Sequence, residues 1–379
     1  MFNNELKSIV SISTDRNLFK TEAKVFKRHS DYANILNQTI HIIVFTRKGY
    51  SIVRSRNIVI YPTNSISKLT YIFDAYKLGQ KIIKDNNINL ISAQDPFETG
   101  LVAYFLSLRL NRCLHLQIHT DLFNKYFKKY LLNRLRCLVA KIIIPRATGL
   151  RVVSQRILDS LNSNFNSSII TNNIVVLPIF IDFCFFLDYD SNLKENRFFK
   201  KNIIWVGRFE REKNPGLALE VMNVIRQRNK EVGLIMIGDG RLKSKLKSRL
   251  KYNPDLSQRI VLKTWQDDIR PWLKSSDIYL STSWYEGYGL SQLEAVLLNL
   301  PLVSTDAGLA GNIFKNNKEA KICKPGDNKC LARSILQLLE DKNLTDDLVN
   351  RAKLKSRQLK SDYLEFLELY KYNIVNSIR

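Results

Sequence analysis

Cysteine is sparse and oddly spaced: Cys113, Cys137, Cys184, Cys323 and Cys330 make five, with no Cys-x-x-Cys pair. That pattern argues against a disulfide framework and against a thiolate zinc site, and it fits a reducing compartment. No run of about 18 apolar residues occurs, so no spanning helix is expected. Glu5 and Lys7 flank a short apolar run near the start, unlike a secretory leader. Repeats and low-complexity tracts are absent, which excludes solenoids and tails. Acidic residues are few: 35 Asp+Glu stand against 59 Lys+Arg, a formal charge of +24. Such a chain is drawn to polyanions, whether nucleic acid, an anionic membrane or a phosphorylated substrate. With no helix-turn-helix, zinc or aromatic RNA-binding signature, no nucleic-acid partner is expected.

What is present is a long alternating pattern. Hydrophobic content of 45% and charged content of 25% are ordinary for a globular chain. At about 150 residues per domain, 379 residues make two. Strand-length β-branched runs recur at 9–13, 40–46, 57–60, 90–93, 114–119, 149–153 and 174–177. They continue at 202–207, 233–238, 259–263, 277–282, 301–305 and 320–323. Amphipathic helix-length stretches separate them, as at 215–228, 241–250 and 290–298. Repeated β-α-β with doubly buried strands predicts parallel sheets covered on both faces, joined by right-handed crossovers. The expected fold is α/β, two Rossmann-like doubly wound domains facing across a cleft. Domain one spans 1–186 and domain two 187–360, with polar Leu187–Arg197 as linker. The tail from Thr345 reads as helix. Asp188-Tyr-Asp190 spells an Asp-x-Asp metal motif, but it lies in that linker and not on a rigid element end.

Residues 284–299 read Trp-Tyr-Glu-Gly-Tyr-Gly-Leu-Ser-Gln-Leu-Glu-Ala-Val-Leu-Leu-Asn. A β-rich run precedes them, so the order is strand, glycine loop, helix. That order presents free backbone N–H groups and a positive helix end to a phosphate. Glu286 lies in the loop and Glu294 inside the helix, on an otherwise apolar face of Leu290, Leu293 and Leu297. A carboxylate there needs partners, and ribose hydroxyls are natural ones.

This stretch resembles the nucleotide-sugar signature of GT-B glycosyltransferases of the GT4 type, two glutamates separated by seven residues. Ile204-Trp-Val-Gly-Arg-Phe-Glu-Arg-Glu-Lys resembles the family's diphosphate-binding stretch, with Arg208 and Lys213 at the matching positions. Ile237-Gly-Asp-Gly resembles its base-side loop. The resemblance implies retaining transfer without an essential metal and no cofactor, the donor being a UDP-, GDP- or ADP-sugar. It also implies that the last helix, about 361–379, crosses back onto domain one. Arg208 and Lys213 would hold the charge growing on the departing diphosphate, in place of magnesium. Glu286 would lie nearest the sugar, the amides of Gly289 and Leu290 nearest the phosphates, and Glu294 on ribose. Gly238, Gly240 and Trp265 would form the base pocket.

In domain one, period-two alternation sets His115, Gln117 and His119 on one face, with His119 at the strand exit. Family members carry a histidine after such a strand, in contact with the donor sugar, and His119 matches it. Asp95, and Asp15 with Arg16, end two further strands on the acceptor side. Two departures stand out. Ser13-Thr-Asp-Arg-Asn replaces the family's Gly-Gly loop, and Thr305–Gly311 lacks the acid that relatives often carry there.

From Arg109 to Arg156 there are eleven Lys/Arg and one acid, Asp121. Residues 123–136 mix cations with aromatics and leucines at three-to-four spacing, the pattern of an interfacial helix. The competing reading is an ordinary helix with its apolar stripe in the core. The expected protein is thus a retaining, metal-independent hexosyltransferase, cytoplasmic or peripheral at the inner face of the membrane. Its acceptor would be a hydroxyl on a lipid-linked or cell-envelope glycan. The alternatives are an inverting GT-B enzyme with Asp15 or Asp95 as base, or a non-enzymatic nucleic-acid-binding or inactive partner protein.

Overall fold

The computed structural model describes residues 6–165, 173–189 and 196–378. The chain divides into two compact units, one ending at Phe180 and rejoined from Ser361, the other spanning Ile181–Lys360.

Unit 1 is built on eight strands: β1 (Ile9–Ser13), β2 (Ile40–Val44), β3 (Val53–Ser55), β4 (Ile58–Pro62), β5 (Leu90–Ala93), β6 (Cys113–Ile118), β7 (Gly149–Val152) and β8 (Ile174–Val176). Their order is β3-β4-β2-β1-β5-β6-β7-β8. All neighbours are parallel except β3, which pairs antiparallel with β4. Runs such as Ile40-His-Ile-Ile-Val bury every residue, as strands covered on both faces must. Helices α1 (Lys24–Leu36), α2 (Tyr71–Asp85), α3 (Glu98–Leu110) and α4 (Leu131–Ile143) follow in chain order.

Unit 2 carries β9 (Lys201–Val206), β10 (Val232–Ile237), β11 (Ile260–Lys263), β12 (Ile278–Ser281), β13 (Leu302–Thr305) and β14 (Lys321–Cys323). The order β11-β10-β9-β12-β13-β14 is parallel throughout. In each sheet the winding reverses once, between β1 and β5 and between β9 and β12. Ligands of doubly wound sheets bind at that reversal, beyond the carboxyl ends of the strands.

The last helix, Tyr363–Asn376, packs on unit 1. Buried His115 joins it to the sheet, with Ser92 Oγ 3.0 Å from Nδ1 and Asn373 Oδ1 2.8 Å from Nε2. Asn373 also donates to the Leu150 carbonyl. Arg151 lies buried beneath, donating to the carbonyls of Leu177 and Pro178, to Gln117 and to Tyr32, all neutral acceptors. Its guanidinium faces the rings of Phe366 and Tyr370 at 5.7 and 5.8 Å.

Four differences from the sequence reading have physical causes. β3 was not expected, because Val-Arg-Ser offers no apolar run; it exists as one arm of a hairpin. The tail is not one helix: Lys342–Arg357 ends, and Asp362 caps a new start by accepting from Leu364 N. The unit boundary lies at 180/181, not 186/187, because helix Phe183–Leu187 packs with unit 2, where Arg270 covers the Phe185 ring at 3.4 Å. Of the expected linker, residues 190–195 fall outside the described residues, and Asp190 with them. Finally, Cys323 and Cys330 form a disulfide, Cα–Cα 5.9 Å, contrary to the expectation of none. Their seven-residue spacing runs from the end of β14 into the next helix, whose first turn brings the thiols together. This disulfide removes one ground for placing the chain in a reducing compartment.

Among the described residues no helix is long and apolar enough to cross a membrane.

The seating of the last helix is testable at Gly149, where an added Cβ would lie 1.9 Å from Ser377 Oγ. Gly149→Ala is expected to cost about 1–3 kcal/mol in urea unfolding through overpacking. Asn373→Leu, which strands the buried His115 ring nitrogen, is expected to cost a similar ~1–3 kcal/mol. Wild-type midpoints for both would refute this seating.

Candidate nucleotide-sugar site

β9 and β12 pair only at Ile203–Ile278 and Ile204–Tyr279, then part. Beyond that point Trp205 Nε1 reaches across to Thr282 Oγ1 at 2.9 Å. Thr282 Oγ1 in turn lies 3.0 Å from the carbonyls of both Lys213 and Asn214. Trp284 N donates to the Glu212 carbonyl at 2.8 Å. The loops after the two strands are thus stapled together at the sheet's reversal.

Lys213, ending the short turn Arg211–Lys213, meets Glu286 there at 2.5 Å. Both side chains are largely buried, 18% and 10% exposed, and Ser283 Oγ donates to the same carboxylate oxygen at 2.7 Å. A pair this dry holds only because each charge has its partner. Arg208 stands differently: its side chain is mostly exposed and pairs with Glu212 at 2.9 Å.

Gly289 adopts φ +100° at the N-cap of the helix Leu290–Leu297. No side-chain hydrogen bond caps that end, and an uncapped helix start is where an anion can be received. Glu294 is partly buried on the second turn. Both carboxylates bear on Tyr279: burial chiefly, then the charges of Glu286 and Glu294, push its phenol far above the usual range. The two glutamates therefore share one neighbourhood at the end of β12.

Gly238-Asp-Gly240 folds against the 207–210 loop, with Asp239 O accepting from Phe209 N at 2.7 Å. A Cβ on Gly238 would lie 1.9 Å from the Gly207 carbonyl, so only glycine admits this approach. Asp239 itself is exposed and ion-paired with Lys243 at 2.7 Å. Trp265, after β11 on the same edge, is 59% exposed, an indole face open to stacking.

Gln292 was missed by the sequence reading. It is buried, donates to the Ala307 carbonyl at 3.0 Å and accepts from Leu309 N and Ala310 N. It thereby fixes the 306–311 loop against the glycine loop. A second polar side chain on the same helix, two residues before Glu294, was the available signal.

In unit 1 the candidates cluster less tightly. Asp15 caps the turn Arg16–Phe19 by accepting from Asn17 N at 3.0 Å. Arg16 donates to the Phe45 carbonyl and to Tyr71 Oη. Asp95 accepts from Phe97 N at 2.8 Å, ahead of α3. Burial, only partly offset by that bond, pushes its carboxyl up to about 6. His119, just past β6, is held down to about 3 by burial and then by the Arg151 and Arg28 charges. Asp15 and Asp95 both lie at the β1/β5 reversal, and His119 follows β6, next in the sheet.

Residues 190–355 match the family model described as glycosyl transferases group 1. An uncharacterised glycosyltransferase of Methanocaldococcus jannaschii is 22% identical over 84% of this chain and 86% of its own length. The UDP-Gal:alpha-D-GlcNAc-diphosphoundecaprenol alpha-1,3-galactosyltransferase of Escherichia coli is 29% identical over 40% of this chain; the match spans only 39% of that protein. Among solved structures, Anabaena HepE in complex with UDP-glucose superposes at a TM-score of 0.71, with 15% identity, 96% of this chain and 98% of that one. Two doubly wound parallel sheets and the likeness to HepE give the chain the GT-B fold, and residues 190–355, most of unit 2, are similar to the group 1 glycosyl transferases.

Proposed function

We propose that the chain is a retaining, metal-independent hexosyltransferase that binds a nucleoside-diphosphate sugar on unit 2. The observation that carries this is the buried Lys213–Glu286 pair at the β9/β12 reversal. An arriving diphosphate competes with Glu286 for Lys213, which leaves the carboxylate to the sugar hydroxyls. Arg208 and the amides of Gly289 and Leu290 complete the anion site, and Glu294 takes the ribose. Trp265, with the Gly238–Gly240 loop, receives the base. As the sugar C1–O bond to phosphate breaks, the C1–O bond to the acceptor forms on the same face. The acceptor's proton passes to the departing phosphate oxygen. Fixed cations and amide dipoles stabilise that oxygen as its charge grows.

The acceptor is proposed to be a hydroxyl on a lipid-linked or cell-envelope glycan, with the chain peripheral at the inner face of the membrane. The name of the E. coli relative, whose acceptor is alpha-D-GlcNAc-diphosphoundecaprenol, supports this class. The basic 109–156 block suits an anionic membrane surface. No nucleic-acid partner is proposed.

Asp95 favours a second reading, an inverting enzyme with that carboxylate as general base. A value of about 6 lies near the range where a base works at neutral pH.

Melting curves with UDP, GDP and ADP test the donor site, since a ligand at a hundred times its Kd stabilises by about 2.7 kcal/mol. One nucleotide is expected to raise the melting temperature, and a flat response to all three sinks the proposal. Lys213→Ala is expected to abolish that shift and lower kcat by about 10²–10³-fold; activity in EDTA is expected to be unchanged. NMR of the product anomer decides between retention and inversion.

Asp95→Asn separates the second reading. With its pKa raised from 3.8 to about 6, the folded state binds the Asp95 proton more tightly than the unfolded chain. That contribution stabilises below pH 3.8 and is lost as pH rises through 6. The Asn variant keeps the bond to Phe97 N, so it should lose this slope and unfold no more easily at pH 7. Retained kcat at every pH would rule Asp95 out as base.

A further inference from the structure

On unit 1, α3 packs against both α2 and α4, and the Arg136–Glu98 pair at 2.6 Å ties α4 to α3. The outward side of these helices is not polar. α4 buries Asn133, Cys137, Ala140 and Ile143, so one face serves the fold. Its opposite face turns Leu131, Leu135, Leu138 and Ile142 to solvent, 74%, 52%, 58% and 52% exposed. Their spacing of four, three and four makes a stripe, where a surface helix ordinarily carries polar residues. Between α2 and α3 runs a groove of ≈ 730 Å³, walled by Leu69, Phe73, Tyr76, Phe105 and Leu108 with Arg109. Single exposed apolar residues are normal; an apolar stripe beside an apolar groove marks an interaction face.

The charge beside this face has one sign. Before and within the first turn of α4, Lys125, Tyr126, Lys128, Lys129 and Arg134 line a recess of ≈ 620 Å³ with no carboxylate in its wall. The one acid of the 109–156 block, Asp121, is buried and accepts from Ser160 Oγ at 2.7 Å.

We propose that this three-helix face docks on an anionic phospholipid bilayer. The Lys125–Arg134 recess takes headgroup phosphates, while the α4 stripe and the rim of the α2–α3 groove enter the acyl boundary. The inference rests on, and deepens, the reading of an acceptor carried at a membrane. Charge complementarity commits it to this occupant: cations without acids meet an anionic leaflet, and the neighbouring side chains are aliphatic, as in interfacial helices.

The test is cosedimentation of the full chain with vesicles of phosphatidylglycerol and phosphatidylcholine, against phosphatidylcholine alone. Binding is expected only with phosphatidylglycerol. It should fall about 100-fold in the triple variant K125Q/K128Q/K129Q, and at least about 10-fold in L135Q/L138Q. Equal binding to both vesicles, or none to either, overturns the proposal. So does release by inorganic phosphate at matched ionic strength with L135Q/L138Q binding like wild type, which would mean a soluble-anion site. The nucleotide melting shift, read on the same samples, keeps the two readings apart. A shift without vesicle binding sinks docking alone, and vesicle binding without any shift sinks the donor site alone.

Discussion

The Lys213–Glu286 ion pair is the constraint on which unit 2's functional edge depends. It forms where β9 and β12 stop pairing, a place where a sheet would otherwise leave two loose loop ends. Two charges removed from water cost several kcal/mol each unless they meet each other and further donors. Here the carboxylate has both Lys213 and Ser283. The pair therefore fixes the loop after β9 to the loop after β12, and the Thr282 hydroxyl and the Trp284 backbone amide repeat the tie. The 306–311 loop closes on the same point: a Cβ on Gly308 would sit 3.1 Å from the Glu286 Cβ. Three strand ends become one rigid rim, and rigidity is what lets fixed dipoles stabilise developing charge without reorganising.

Much of this was legible in the chain. Parallel strands buried on both faces write themselves as near-continuous β-branched runs, so the thirteen runs read from the sequence recur with boundaries shifted by a residue or two. Strand, glycine loop and helix likewise announced the Gly289 end. What the sequence hid was pairing. Nothing local says that Lys213 and Glu286, 73 positions apart, meet each other, or that Gln292 orders a loop beyond β13. The Cys323–Cys330 bond was hidden for a related reason, since a strand end and a helix turn must fold before the thiols meet. α4 left two readings open: periodicity reported its apolar residues but could not say whether the leucines face outward, as they do.

Glycine is scarce, 14 in 379 residues, and asparagine does part of its work. Among the described residues, eight other than glycine have positive φ; seven are Asn and one is Arg56. Asn37 and Asn111 end α1 and α3 in the left-handed conformation, and Asn214 leads from the Lys213 turn into the next helix. Asparagine tolerates that region better than other side chains because its short amide bonds locally. Glycine is kept where a Cβ would strike backbone, as at Gly238 and Gly308.

Arg151, buried among neutral acceptors, has an effect that reaches past packing. Burial foremost, with this guanidinium among the lesser causes, holds His29 and His115 down to about 4 and His119 to about 3. The fourth imidazole, His41, is lowered as well, by burial and then Arg54. Those three rings stay neutral while folded, so acidification from neutrality toward pH 5 leaves their contribution to the molecule's charge unaltered. The unfolded chain protonates them near 6.5, and acid thus favours unfolding, opposite in sign to Asp95. A protein whose imidazoles are silenced this way meets an acidic surface with a nearly constant electrostatic face.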